Sequence, residues 1–334
     1  MAINLLALKP HQVSRDLSGY ITYIYGEGKT GKTTFASQMP QPLLLAFERG
    51  YNAIPGIIVQ DITSWGEMKQ VVRELKKDEV KEQFKSVIID TIDIAGSLCE
   101  KYVCGQLGIQ TLGDAVWGAG WRMLRKEFDE AFRAIAQLGY AVVFIGHDKL
   151  SEVTREDGSK YNKYVPSAGR TMNDVAKNMA DIYAFAKKYE EGGIAKVKLV
   201  FRSVDNSADT GCRFKYIVPE IPDFTYANVV DALNNAIDTE EKMTGKSEFF
   251  TDKREVYSTP KTYDIDEEVK RFNDLIGPLM VKDQAYFSPR ITSIVDKYLG
   301  TGKKVSQATP DQAEMIYLIN GDIEEDLLPK FNQM

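Results

Sequence analysis

Short apolar runs alternate with longer amphipathic stretches through the first two thirds of the chain. Residues 21–25, 43–47, 87–89 and 141–145 are apolar at nearly every position and bounded by polar or glycine residues. Runs of that kind predict strands buried on both faces of a parallel sheet. Between them the hydrophobic period becomes helical. Ser64-Trp65-Gly66-Glu67 has the spacing of a capping box and opens a helix expected to reach about Lys77. Trp121, Leu124, Phe128, Phe132, Ile135 and Leu138 mark one helical face, with Gly139 as its stop. Strands alternating with helices predict a doubly wound α/β domain around a mainly parallel central sheet.

After Gly146 the pattern changes. Residues 148–170 are polar, and Asp157-Gly158 at their centre predicts a hairpin turn. A helix is expected over 171–179, strands over 182–186, 197–201 and 216–218, and a closing helix over 225–236. Residues 238–263 are polar and aperiodic, which predicts a linker. Beyond it Val269, Phe272, Leu275, Ile276 and Leu279 mark one helix. Ser288-Pro289 is expected to open a second, and the capping box Thr309-Pro310-Asp311-Gln312 a third. The expected organisation is an α/β domain over 1–237, a linker over 238–263 and a small acidic helical domain over 264–334.

Charge sharpens that division. Net charge is −6 over 334 residues, yet residues 1–235 balance 29 Lys and Arg against 29 Asp and Glu. The excess lies in residues 236–334, with 13 against 19. A neutral domain can still present a basic face, and an acidic appendage can compete for it or simply aid solubility. Asp322, Glu324, Glu325 and Asp326 are the candidates for such gating, or for holding a partner. No run reaches the length of a membrane span, and no leader pattern opens the chain, so a cytoplasmic location is expected. Cys99, Cys104 and Cys212 lack metal-ligand spacing, which argues against a structural zinc site.

The chemistry concentrates after the first apolar run. Gly26-Glu27-Gly28-Lys29-Thr30-Gly31-Lys32-Thr33-Thr34 matches the phosphate-cradling loop G-x-x-x-x-G-K-[ST] between a strand and a helix. Glycines let the backbone close around phosphate oxygens, and the amides opening the helix point at the anion. Lys32 is placed to reach the β- and γ-phosphates of ATP, and Thr33 to ligate Mg²⁺. Asp90 ends the apolar strand 87–89 and is the expected second Mg²⁺ contact, made through water.

Hydrolysis also needs a group that orients water. A glutamate directly after the aspartate would serve in one large class of motor ATPases, but Thr91 stands there. Asp93 is a conceivable substitute that would point elsewhere. Glu48, at the end of the strand 43–47, is the better candidate, because carboxyl ends of parallel strands line one crevice. A solvated strand-end glutamate is the alternative. His147 follows the strand 141–145 at the same edge, as a γ-phosphate sensor or as a surface histidine.

Together these residues resemble the RecA-like P-loop ATPases, and most closely the phage-encoded single-strand annealing recombinases of that superfamily. The resemblance covers residues 20–235 and rests on GEGKTGKTT, LLLAFERG, VIIDT, GDAVWGAGWRML and AVVFIGHDK. It implies that Glu48 is the catalytic base and that His147, where the family has glutamine, couples nucleotide state to DNA contact. It implies two loops facing single-stranded DNA. The first is 111–120 with Trp117. The second is 148–170, with Lys149, Arg155, Lys160, Lys163 and Arg170 among Tyr161 and Tyr164. Cations tracking phosphates and rings stacking on bases suit single strands, whereas a solvated hairpin remains the plain alternative. It further implies a homo-oligomer, filament or ring, with Lys198 or Arg202 reaching a neighbour's nucleotide. A phage-encoded member would work in the host cytoplasm, beside single-strand-binding or replication proteins.

The first expectation is therefore an ATPase on single-stranded DNA that promotes annealing or strand exchange. The alternatives are an AAA-type motor or loader in replication, and a nucleotide-switched adaptor for a protein partner. A small-molecule kinase is more distant, because no arginine-rich lid is evident.

Overall fold

Period-two alternation along fully buried strands sorts the core into two layers. The computed structural model describes Leu6, residues 8–254 and residues 263–333. Its chain divides into two compact units, one over Pro10–Thr259 and the other holding the C-terminal helices.

In the larger unit the first strands are β1 (Val13–Ser14), β2 (Thr22–Gly26), β3 (Pro42–Ala46), β4 (Ile58–Asp61), β5 (Ser86–Asp90) and β6 (Ala141–Gly146). They are joined through helices α1 (Lys32–Ala36), α2 (Trp65–Glu74), α3 (Asp78–Gln83), α4 (Ile92–Leu107) and α5 (Ala119–Gln137). Next come the hairpin β7 (Asp148–Thr154) and β8 (Lys160–Pro166), helix α6 (Arg170–Met179), and strands β9 (Ile182–Glu191) and β10 (Ile194–Val200). Short strands β11 (Gly211–Cys212) and β12 (Glu220–Ile221), helix α7 (Tyr226–Thr244) and strand β13 (Phe250–Thr251) complete it.

The central sheet has nine strands in the order β12-β10-β9-β2-β6-β5-β3-β4, with β11 also on β9. Pairing is parallel from β4 across to β9, and antiparallel where β10, β11 and β12 join. The expected mainly parallel α/β sheet is thus observed. Tyr23, Leu45, Val87, Ile89, Val142 and Phe144 face one layer, packed with residues of α2, α4, α5 and α6. Ile24, Leu44, Ile88, Val143 and Ile145 face the other, against residues of α1 and α7. Both faces being covered is what continuous apolar runs require.

Three expectations change. The strand expected at 216–218 forms instead at Glu220–Ile221, bracketed by Pro219 and Pro222, which lack a donor for further pairing. The linker expected from 238 begins later, because α7 runs on to Thr244. Ile237 is buried, and Arg15 holds Asp238 at 3.1 Å and also pairs with Glu241, so polar residues continue the helix. Phe250–Thr251 then pairs with Val13–Ser14. The Arg254 guanidinium donates to the carbonyls of Ser18, Lys85 and Gly139. The rest of the expected linker, residues 255–262, lies outside the described residues.

The C-terminal unit packs α8 (Ile265–Leu299) with α9 (Ala313–Asp326) and α10 (Leu328–Gln333) around Phe272, Leu279, Phe287, Ile316 and Ile319. Helix α8 breaks at Asp283, whose carboxylate caps the Tyr286 amide at 2.9 Å. The second helical segment therefore opens there and not at Ser288-Pro289. The capping box at Thr309 and Gln312 forms as expected. Among the described residues no helix is long and apolar enough to cross a membrane.

Candidate nucleotide-binding site

Four parallel strands deliver their carboxyl ends to one edge of the sheet. Strand β2 ends in Gly26, where an added Cβ would stand 2.2 Å from the Ala186 carbonyl oxygen of β9. Only glycine permits that approach. Past it the loop turns through Lys29 at φ 63° and Gly31 at φ 82° before α1 begins at Lys32. A side chain at Gly28 would meet nothing within 4 Å, so the loop faces open space.

Lys32 is 6% exposed. Its ammonium donates to the carbonyls of Gly26 at 2.7 Å and Glu27 at 2.8 Å, and to the Thr30 hydroxyl at 3.3 Å. Burial lowers its pKa, while Asp90, Asp148 and Glu48 pull the other way. Thr30 also ties to the Glu27 carbonyl at 2.8 Å, and the Glu27 carboxylate faces Lys188 at 3.4 Å. Thr34 is exposed, and its carbonyl accepts from the Ser37 hydroxyl.

Thr33 and Asp90 meet directly, hydroxyl to carboxylate, at 2.7 Å. Burial pushes the Asp90 carboxyl up, opposed by that hydroxyl bond. A Cβ at Gly50 would come within 3.7 Å of Asp90 Oδ2 and 3.8 Å of Thr33 Oγ1. Gly50 thus borders an all-oxygen pair, and these donors fit Mg²⁺, which takes few protein ligands and keeps its waters. Nothing in the sequence had singled out Gly50.

Glu48 follows β3, and its amide donates to the Asp90 carbonyl at 3.3 Å. Its carboxylate lies 3.2 Å from His147 Nε2. That bond holds the Glu48 carboxyl below its ordinary value, against burial, and raises His147. The sequence placed both residues at this edge but did not foresee their contact.

His147 is also where the β7–β8 hairpin begins. Asp93, in the first turn of α4, accepts from the His147 amide at 3.1 Å and from the Ser167 hydroxyl. Ser167 closes the ring by donating its amide to the His147 carbonyl at 2.9 Å. Asp93 therefore gathers both ends of the hairpin and does not turn toward the P-loop. An acidic residue in a first helical turn is commonplace, so the sequence carried no signal for this role.

The residues expected to face DNA are distributed unevenly. Trp117 is 91% exposed on the segment before α5, at φ 55°. Lys149 is exposed on β7. Arg155 stacks over the Tyr161 ring at 4.3 Å near the hairpin tip. Lys160 pairs with Glu152 at 2.7 Å, and Arg170 lies 3.7 Å from Asp174. Two residues depart from the expectation of an open binding face. Tyr164 stacks on Phe185 with centroids 5.1 Å apart, because its backbone is docked against residues 207–209. Lys163 reaches back to Asp209 at 3.3 Å, a carboxylate that also holds Lys177 at 2.6 Å.

Lys198 and Arg202 are likewise engaged within their own chain. Lys198 pairs with Glu220 at 2.7 Å. Arg202 donates to the carbonyls of Cys212 at 3.4 Å and Phe214 at 2.7 Å. In the C-terminal unit Asp322 binds Lys297 and Tyr298, and Glu324 binds Arg271, so these two of the four expected acids are internally paired.

Over 337 aligned residues the chain is 27% identical to the SPbeta prophage-derived uncharacterized protein YorG of Bacillus subtilis (strain 168), covering 97% of this chain and 99% of that protein. The KaiC-like protein PH0186 of the archaeon Pyrococcus horikoshii OT3 superposes with a TM-score of 0.34 at 12% identity, over 57% of this chain and 88% of that one. A family model described as an AAA domain matches residues 18–214, a span holding the P-loop, Glu48, Asp90 and His147. The chain therefore belongs to the AAA domain family and is an ATP-binding, ATP-hydrolysing P-loop enzyme.

Proposed function

We propose that the protein is an oligomeric AAA-type motor or loader on DNA, in which ATP state passes from the P-loop to the β7–β8 hairpin. One observation carries this reading: the Glu48 carboxylate stands 3.2 Å from the His147 ring, where the chain enters that hairpin. Lys32 bears on the β- and γ-phosphates. Thr33, and Asp90 through water, would hold Mg²⁺, which when bound would neutralise negative charge developing on the transferring phosphoryl group. Glu48, anionic at neutral pH, orients and polarises the attacking water. It cannot serve that water and the His147 imidazole equally. Its choice of partner therefore differs between nucleotide states, and His147 carries the difference into the hairpin held by Asp93.

In the oligomer, Lys198 or Arg202 of a neighbouring copy would neutralise charge on the γ-phosphate. Either must first leave its partners, Glu220 or the Cys212 and Phe214 carbonyls. Trp117, Tyr161 and the hairpin cations are the surface offered to single-stranded DNA. The ion pairs at Lys160 and Lys163 favour a second reading, a nucleotide-switched adaptor whose hairpin or helical unit holds a protein. Strand annealing is the finer form of the DNA reading and rests on the resemblance alone.

The test is ATP turnover with and without single-stranded DNA at several salt concentrations, alongside annealing of complementary oligonucleotides. Salt-sensitive stimulation supports the motor or loader, and added annealing activity supports the recombinase. Replacing Lys160 and Lys163 together should then weaken DNA binding and flatten its salt dependence. Absent stimulation, with an ATP-dependent protein complex, supports the adaptor and refutes the DNA reading.

A further inference from the structure

The C-terminal unit carries a cavity that the nucleotide chemistry does not use. It measures about 290 Å³ and opens between the two halves of α8 and the turn that follows them. Val269, Phe272, Ile291, Val295 and Val305 form its apolar wall. Phe272, Ile291, Val295 and Val305 are each buried, so their edges form the floor of an open depression on the packed core. Its size admits one phenylalanine-sized ring, and buried aromatic side chains are the anchors that dominate small interfaces.

Its rim has the opposite character from the unit around it. Residues 264–333 carry 8 Lys and Arg against 13 Asp and Glu. Arg271 and Lys297 are engaged by Glu324 and Asp322. Lys303 and Lys304, which line the cavity, are exposed and form no ion pair among the described residues. They stand on a turn that is itself held. Gly300 and Gly302 take φ values of 94° and 77°, the Gly302 amide donates to Asp296 Oδ1 at 3.0 Å, and the Lys303 amide to the Gly300 carbonyl at 3.1 Å. Two adjacent uncompensated cations are thus presented beside an apolar socket. The surrounding acids act over a screening length of about 8–10 Å, so a contacting ligand feels the lysines first.

We propose that this socket binds a short acidic segment of a partner protein, with one apolar side chain in the cavity and flanking carboxylates on Lys303 and Lys304. Charge complementarity selects this occupant. An apolar partner would leave both lysines unused, and a basic one would be repelled by them.

The experiment uses the full-length protein and a fluorescein-labelled peptide with one phenylalanine among aspartates, read by anisotropy. Saturable binding is expected, weakening with salt. It should fall about tenfold or more when the phenylalanine becomes serine, or in the Lys303→Glu, Lys304→Glu double variant. Thr292→Trp, which fills the socket without changing charge, should weaken it as well and covers the case of a misfolded double variant. ATP turnover should be unaffected in all of them. Three outcomes overturn the proposal: no saturable binding, binding that survives both variants, or a double variant whose loss is in oligomeric state or in oligonucleotide affinity instead.

Discussion

Replacing Asp93 with alanine isolates the joint between the nucleotide edge and the hairpin. The carboxylate accepts the His147 amide at 3.1 Å and the Ser167 hydroxyl, so the variant removes two bonds to a charged acceptor. Such bonds are worth about 1.5–3 kcal/mol each. All three residues are only partly buried, and water recovers much of the loss, which leaves roughly 2 kcal/mol for the pair. At about 1.4 kcal/mol per tenfold, the hairpin base should open about 30-fold more often. Hydrogen–deuterium exchange reads this directly, because amides protected by local closure exchange in proportion to opening. Peptides covering 147–167 should exchange faster, while peptides from α5, which Asp93 does not touch, stay unchanged. Identical exchange across 147–167 would refute the assignment of Asp93 as the clamp.

The other predictions bear on the site itself. Lys32→Ala should lower ATP turnover by about two orders of magnitude or more with the melting temperature nearly kept, since the lysine acts on phosphate; near-normal turnover would contradict this. Glu48→Gln should retain nucleotide binding while turnover falls by about 10²–10⁴, measured by single-turnover hydrolysis. In the same variant the His147 titration, followed by NMR, should move back down toward 6.5. The sign follows from the pair: His147 is raised and Glu48 lowered. The stability their contact contributes is full between the ordinary carboxylate and ordinary histidine values; it is lost as pH rises through the raised histidine value and as pH falls through the lowered carboxylate value. Gly26→Ala should destabilise the larger unit by about 1–3 kcal/mol, seen as a lower melting temperature, because its Cβ meets the Ala186 carbonyl; an unchanged melting curve would remove that contact.

The sheet and the P-loop were legible because each is dictated locally. Residues 87–89 and 141–145 are apolar throughout, since both faces of β5 and β6 are covered. Gly31 and Lys32 are read from the phosphate motif, whose backbone needs a left-handed residue and whose chemistry needs a cation. Glu48 and His147 could be placed at one edge from strand order alone. Their mutual contact could not, because it depends on how the ends of β3 and β6 turn. Asp93 was noticed only as a conceivable substitute base, and its role at the hairpin was hidden for the same reason: its partners lie 54 and 74 residues away. The continuation of α7 was hidden because its last residues are polar, and their partner Arg15 lies more than two hundred residues earlier. Trp117 could be marked as an aromatic, but its exposure depends on the single-turn helices around it.

The Arg254 guanidinium has a practical consequence for dissecting this enzyme. Among the described residues it is the last anchor of the larger unit, reaching three carbonyls contributed by stretches far apart in the chain. A fragment cut at residue 237 would lose that anchor, the β13 pairing and the acids that hold Arg15. The smallest excisable ATPase fragment must therefore run through residue 254, some way past the point where polar composition first suggests a boundary.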